Sequence, residues 1–235
     1  MRSVAVNSIV GGPAPSAWIV LTVVVENAMQ NENSFWVLFG QHTKPTYLDD
    51  AGHGQRPQRN AALKYVKSWR VCLDIGSNIG QWTRPLAKLF GKVVCFESNK
   101  NFIECFNKNI SDSNVSLYNV GLSDKEHTAE QPGSWTVLRE TKQPGDIVCK
   151  TLDSYNFTDV DFIKIDVDGF ELRVVQGAVK TLTENNPVVN IELKTTWKDG
   201  IGDRRPMYTG TTEILRSLGY KRRSRVKSDE VWQKT

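Results

Sequence analysis

Histidine and cysteine are scarce: three and four residues in a chain of 235, with no two cysteines in a C-x-x-C spacing. Zinc fingers and disulfide frameworks need such clusters, so neither organises this chain. Cys72, Cys95, Cys105 and Cys149 mostly lie in or beside apolar runs and read as small hydrophobes in a reducing compartment. Long hydrophobic runs are missing as well. The longest strongly apolar one, residues 17–25, is far short of the roughly 20 residues needed to cross a bilayer. One arginine before it and Glu26-Asn27-Ala28 after it make a poor signal peptide. The chain therefore reads as soluble and cytoplasmic, with no membrane partner. Internal repeats and low-complexity tracts are absent. Neither sign of charge dominates: 30 basic and 26 acidic residues leave +4, which does not by itself call for nucleic acid. With 39% hydrophobic and 24% charged residues the composition is that of a globular domain, not of a disordered, collagenous or coiled-coil chain.

The chain divides into three parts. Residues 1–28 carry only Arg2 and Glu26 as charges and include Gly-Gly-Pro-Ala-Pro. They read as an N-terminal extension outside the fold, either a strand added to a sheet edge or a leader ahead of an alternative start at Met29. Residues 29–70 form a lid and helical segment, with Pro57 opening a helix to about Ser68. From 71 to 235 apolar strands alternate with amphipathic helices. Strands are expected at Val71–Ile75, Lys92–Phe96, Val115–Val120, Asp161–Asp166 and Val188–Leu193. Helices are expected at Gln81–Phe90, Asn101–Ile110, Glu171–Leu182 and Thr211–Leu218, the last stopped by Gly219. Tyr220–Val226 and Val231–Gln233 read as a terminal hairpin. This order predicts an α/β fold: a mostly parallel sheet with one antiparallel strand and helices on both faces.

The most informative segment is Val71-Cys72-Leu73-Asp74-Ile75-Gly76-Ser77-Asn78-Ile79-Gly80. A strand that stops at glycine and feeds a helix offers close backbone approach and unpaired N–H groups. Ligands of open α/β sheets bind at the carboxyl ends of the strands. The spacing lacks the third glycine of a dinucleotide fingerprint, and no Gly-Lys-Ser/Thr follows, so a phosphate loop is excluded. Asp74 would repel a pyrophosphate and attract an ammonium. Glu97, at the end of the second strand, is placed to accept hydrogen bonds from ribose hydroxyls. A nucleoside that carries an amino acid fits both features, and S-adenosylmethionine is the cofactor expected. The plainer reading is a tight turn beside a charged strand end.

At these residues the chain resembles the FkbM family of class I S-adenosylmethionine-dependent methyltransferases. The resemblance runs from about Asn60 to Leu193. It is carried by Leu73-Asp74-Ile75-Gly76-Ser77-Asn78-Ile79-Gly80, Phe96-Glu97, Asn119-Val120-Gly121-Leu122-Ser123-Asp124, Lys150-Thr151-Leu152-Asp153 and Asp161-Phe162-Ile163-Lys164-Ile165-Asp166-Val167-Asp168-Gly169-Phe170-Glu171. The family usually has Glu where Asp168 stands. The resemblance implies a Rossmann-like, seven-stranded methyltransferase domain over 71–235, with the last strand antiparallel. It implies that Asp74, Gly76, Ser77 and Asn78 surround the methionine part of the cofactor and that Glu97 holds the ribose. Gly121, Leu122 and Ser123 would lie near the adenine. Family members mostly methylate oxygen, often hydroxyls of saccharides or other small molecules, and that class of acceptor is the expected partner.

Methyl transfer from a sulfonium is an in-line displacement in which the protein positions the acceptor and removes its proton. Asp166, Glu192 and Lys194, at the ends of the fourth and fifth strands, are the candidate catalytic residues. Asp166 and Glu192 suit a general base, or would share a hard cation, although no metal is assigned. Lys194 would orient the acceptor or, if burial lowers its pKa, take the proton. The competing structural reading has Asp166 and Glu171 capping a helix start. His53 lies in a glycine-rich loop of lid character, but a lone loop histidine is more often solvated, and His42 and His127 have weaker claims. Trp82 reads as packing against the sheet; Trp135 and Trp197 read equally as acceptor-pocket or lid residues. Alternation would put Lys221, Arg223, Arg225 and Lys227 on one strand face, as an anion-binding surface or as a charged edge that blocks aggregation. Two further functions stay open: a nucleotide-binding oxidoreductase, which the glycine spacing disfavours, and a non-catalytic binding module, which the retained Asp166, Glu192 and Lys194 disfavour.

Overall fold

A computed structural model of the chain describes residues 28–30, 35–38, 55–130, 139–140, 145–196 and 203–235. Residues 1–27, His42, His53, Trp135 and Trp197 lie outside the described residues. Strands β1 (Ala28–Gln30) and β2 (Trp36–Leu38) pair as an antiparallel ribbon. Helix α1 (Arg56–Leu63) carries proline in its first turn, where the missing N–H costs nothing. Next come β3 (Val71–Ile75), α2 (Thr83–Ala87), β4 (Lys92–Glu97), α3 (Lys100–Asn109) and β5 (Val115–Asn119). Pro85 leaves α2 only five residues of the ten expected. The Asn99 side chain caps α3 by accepting from the Asn101 N–H at 2.9 Å.

After β5 no strand or helix was expected before the strand at Asp161–Asp166. The intervening stretch builds a small sheet from β6 (Gly121–Leu122), β7 (His127–Glu130), β8 (Arg139–Glu140) and β9 (Ile147–Lys150), in the order β6-β9-β7-β8. A short 3-10 turn, Leu152–Tyr155, leads to β10 (Val160–Ile165). The single helix expected over Glu171–Leu182 is two, α4 (Glu171–Gln176) and α5 (Val179–Asn185). Gly177 lies between them, so close to Ser123 that a Cβ would stand 2.0 Å from its carbonyl oxygen. The chain ends with β11 (Val188–Glu192), α6 (Arg205–Ser217), β12 (Tyr220–Val226) and β13 (Asp229–Lys234).

The main sheet has the order β12-β13-β11-β10-β3-β4-β5. Its pairs from β11 to β5 are parallel, and β13 runs antiparallel between β11 and β12, as the hairpin implied. Strand alternation splits the core into two layers. Leu73, Ile75, Val94, Phe96, Ile163 and Ile165 face α4, α5 and α6; Cys72, Val93, Cys95 and Phe162 face α1, α2 and α3. All four cysteines are buried thiols. Phe35 and Val37, both fully buried, pack on Ile79 of the glycine turn and on Phe102 and Cys105 of α3. Asn109 fastens this contact: it accepts from Trp36 N at 2.7 Å and donates to Trp36 O and Ile79 O at 2.9 and 2.8 Å.

The basic run departs from simple alternation. A register shift between Arg222 and Ser224 turns both Arg222 and Arg225 onto the buried Glu230 carboxylate, at 2.8 and 3.6 Å. Lys227 sits in the hairpin turn with φ +57°. Lys221, Arg223, Arg225 and Lys227 therefore do not form one continuous face. Among the described residues no helix is long and apolar enough to cross a membrane.

Candidate active site

Register brings a polar layer to the carboxyl ends of the central strands. Asp74 on β3 stands opposite Lys164 on β10, and Lys164 opposite Asn190 on β11. One step further along the strands, Glu192 stands opposite Asp229 on β13. Asp166, directly after β10, belongs to this outer row, and its N–H donates to Ile75 O at 3.1 Å.

The first half of the site is the glycine turn. Gly76 has φ +75°, and a Cβ there would stand 1.9 Å from the Asp166 carbonyl oxygen. Only glycine permits both the backbone conformation and that approach. Gly76 N and Ser77 N donate to Phe96 O at 2.9 and 3.1 Å, which ties the turn to β4. Asn78 follows with φ +52°. Asp74 is fully buried. One of its oxygens accepts from the Thr83 hydroxyl at 2.6 Å; the other has no hydrogen bond, only the Lys164 ammonium at 3.4 Å. The buried Ser77 hydroxyl has no partner. A buried acid with a spare oxygen beside a spare hydroxyl suits the ammonium and carboxylate of an amino-acid tail. Asp74 and Ser77 thus offer the unpartnered polar atoms that the expected cofactor role needs.

Glu97 ends β4 with each carboxylate oxygen accepting one backbone N–H, from Asn78 and from Asn99, both at 2.8 Å. Burial pushes its pKa up, and these two bonds work against that. Each oxygen keeps a further lone pair for a hydroxyl donor. Asn119, opposite Glu97 on β5, donates to Glu97 O and Ser98 O, both at 3.1 Å. Gly121, Leu122 and Ser123 follow β5 and are buried; Ser123 N donates to Lys150 O at 2.9 Å, joining them to the small sheet.

The second half holds the carboxylates of Asp166, Asp168 and Glu192, with oxygens within 4.8 Å of one another. Lys194 supplies countercharge to two of them: its ammonium contacts Glu192 and lies 3.3 Å from Asp168. Ser228 donates to Glu192 at 3.0 Å. Asp168 and Gly169 both have positive φ, +47° and +119°. The three predicted catalytic residues are therefore brought together. Lys194 corrects one alternative, however. Although burial acts to lower its pKa, Glu192 and Asp168 outweigh this and hold it above the ordinary lysine value, so it remains an ammonium and does not take a proton. Asp166 is not a helix cap: Phe170 is the residue preceding α4. Glu171 does fill the structural role, accepting from Gly169 N at 3.0 Å and pairing with buried Arg204 at 2.8 Å. Burial, then the Glu192 charge, push Asp166 up to about 7, against the pull of Lys164. Asp229, buried and bonded to Asn190 at 3.0 Å, is pushed up to about 6 by burial.

Sequence reasoning gave no role to Lys164, Thr83, Asn190 or Asp229. Lys164 had a signal, a lone cation in a nearly continuous apolar strand. Asp229 had none, because only the hairpin's insertion beside β11 brings it there. Trp82 packs as expected, its indole N–H donating to Gln55 at 2.7 Å. His127 lies on β7, in the small sheet.

The family model described as Methyltransferase FkbM domain matches residues 74–222, more than half of the chain. No curated protein matches. The methyltransferase FkbM from Methylobacillus flagellatus KT superimposes with a TM-score of 0.51 at 17% identity, over 74% of this chain and 47% of that one. This chain thus spans about half the length of that protein. Precorrin-6y C5,15-methyltransferase from Geobacter metallireducens GS-15 gives 0.49 at 16% identity, over 77% and 89%. SMU.1697c, a putative methyltransferase from Streptococcus mutans in complex with SAH, gives 0.47 at 10%, over 75% and 93%. Strand order, glycine turn and family match agree, and the chain belongs to the FkbM methyltransferase family.

Proposed function

We propose that this chain is an S-adenosylmethionine-dependent methyltransferase whose acceptor is a hydroxyl oxygen on a saccharide or another small molecule. One observation carries the reading. Across the Gly76 turn, a corner with two unpartnered buried polar atoms (Asp74 Oδ1 and Ser77 Oγ) meets a carboxylate of raised pKa (Asp166) at the end of the adjacent strand. The bound donor would supply an electrophilic methyl group on a sulfonium. Asp74 and Ser77 would hold its amino-acid tail, and Glu97 its ribose hydroxyls. An alcohol is a poor nucleophile at neutral pH, so the acceptor needs a base poised near that pH. Asp166 would take the proton of the acceptor hydroxyl. Glu192 and Lys194 orient the acceptor through one hydrogen-bond acceptor and one donor.

The test is incubation with methyl-labelled donor and a panel of saccharides and small hydroxyl compounds, for the wild type and Asp166→Ala. Label is expected in an ether product with the wild type, with turnover lost and donor affinity kept within a few fold in the variant. Donor binding without any labelled hydroxyl acceptor, or full turnover by the variant, contradicts the proposal.

A further inference from the structure

Between the two halves of the site stands one buried cation. Lys164 is 3% exposed one residue from the carboxyl end of β10, where an apolar side chain would pack at far lower cost. Its ammonium donates to Gly76 O at 2.5 Å and lies 3.4 Å from Ile75 O. It also lies 3.4 Å from Asp74 Oδ1 and 4.0 Å from Asp166 Oδ2. The first three partners belong to the donor side of the pocket and the last to the acceptor side.

We propose that Lys164 is a positioning residue that joins the two halves: it pins the glycine turn through Gly76 and Asp74 and biases Asp166 toward its charged, proton-accepting form. This inference rests on the reading of Asp166 as the proton acceptor. Burial alone would depress a lysine, but Asp74 and Asp166 outweigh it and keep Lys164 above its ordinary value, so it is charged. The groups acting on Asp166 are Lys164 from β10, Asp168 from the loop after it, Glu192 and Lys194 from the end of β11, Asp229 from β13 and Glu171 from α4. Four of these six are carboxylates. Lys194 is committed to Glu192 and Asp168, which leaves Lys164 as the cation that faces Asp166 from the donor side. An ion pair serving only the fold would hold Asp74 and leave Asp166 indifferent.

The experiment follows the Asp166 carboxyl by carbon-13 NMR in the donor-free protein as pH is varied, with Asp166→Asn to assign the signal. In Lys164→Gln, whose amide keeps a donor near Gly76 O, the Asp166 midpoint is expected to rise by about one pH unit or more, the effect of losing an opposite charge at this range. Affinity for S-adenosylhomocysteine, read by calorimetry, is expected to fall about tenfold, the loss of roughly one charge-assisted hydrogen bond. Should Lys164→Gln fail to fold, Asp74→Asn answers from the other side: Lys164 is then left with Asp166 as its near carboxylate, and the midpoint falls. An Asp166 midpoint that does not move in the folded variant overturns the proposal. Because the titration uses neither donor nor acceptor, failure of the methyl-transfer reading shows separately, as a wild type that binds no S-adenosylhomocysteine.

Discussion

Asp74 and Asp166 lie one strand apart on the same sheet, on either side of the Lys164 ammonium, yet their surroundings differ. On the donor side the polar groups are fixed by hydrogen bonds: Glu97 by two backbone N–H donors, the Gly76 turn by Phe96 O, Asp74 by the Thr83 hydroxyl. On the acceptor side carboxylates face carboxylates. Asp166, Asp168 and Glu192 have oxygens within 4.8 Å of one another, and Lys194 pairs with the last two, with Asp229 behind them. The donor side is geometry held rigid for one shape of ligand. The acceptor side is a reservoir of proton affinity, which a base working near neutral pH requires.

Breaking the donor side should have the largest effect. Gly76→Ala places a methyl group 1.9 Å from the Asp166 carbonyl oxygen at a φ that disfavours side chains. The two strands must then separate, so donor binding should vanish and thermal unfolding should come several degrees earlier or the protein fail to accumulate. Next comes charge on the acceptor side. Asp166→Asn should lower turnover at least about a hundredfold, the usual weight of a general base. The same variant should be more stable than the wild type at pH 8. The wild-type Asp166 holds its proton up to about pH 7, whereas an unfolded aspartate loses it near 4. Its stabilising proton uptake is therefore complete at acid pH and is lost as pH rises through 7. The gain in Asp166→Asn should be about 4 kcal/mol at pH 8 and should nearly disappear by pH 4, as urea unfolding at both pH values would reveal. The smallest effect belongs outside both halves. Arg222→Ala removes a half-exposed partner of Glu230 on the edge strand. It should leave donor affinity and turnover unchanged and shift unfolding by about 1 kcal/mol or less, because Arg225 still reaches Glu230.

The donor side was legible in the sequence because it is local: Asp74 to Gly80 is one turn, and Glu97 ends the next strand. The sheet was legible for a related reason, since its central strands β3, β4, β10 and β11 are nearly continuous apolar runs, as a buried parallel sheet requires. The acceptor side was half legible. Asp166, Glu192 and Lys194 mark strand ends, but how they charge one another depends on neighbours set by strand order. Asp229 arrives from the chain terminus, and Lys194 keeps its proton only because Glu192 and Asp168 converge on it. The small sheet of β6 to β9 was missed because its strands are two to four residues long, too short for a hydrophobic period to register. The break between α4 and α5 was missed because Gly177 answers to the distant Ser123 carbonyl, not to its own helix.

Calorimetric titration of the folded wild type with S-adenosylhomocysteine tests the donor pocket most directly. One site in the micromolar range, weakened by Glu97→Gln, is the result the pocket predicts. No heat at any accessible concentration, from protein whose folding has been verified independently, would contradict it.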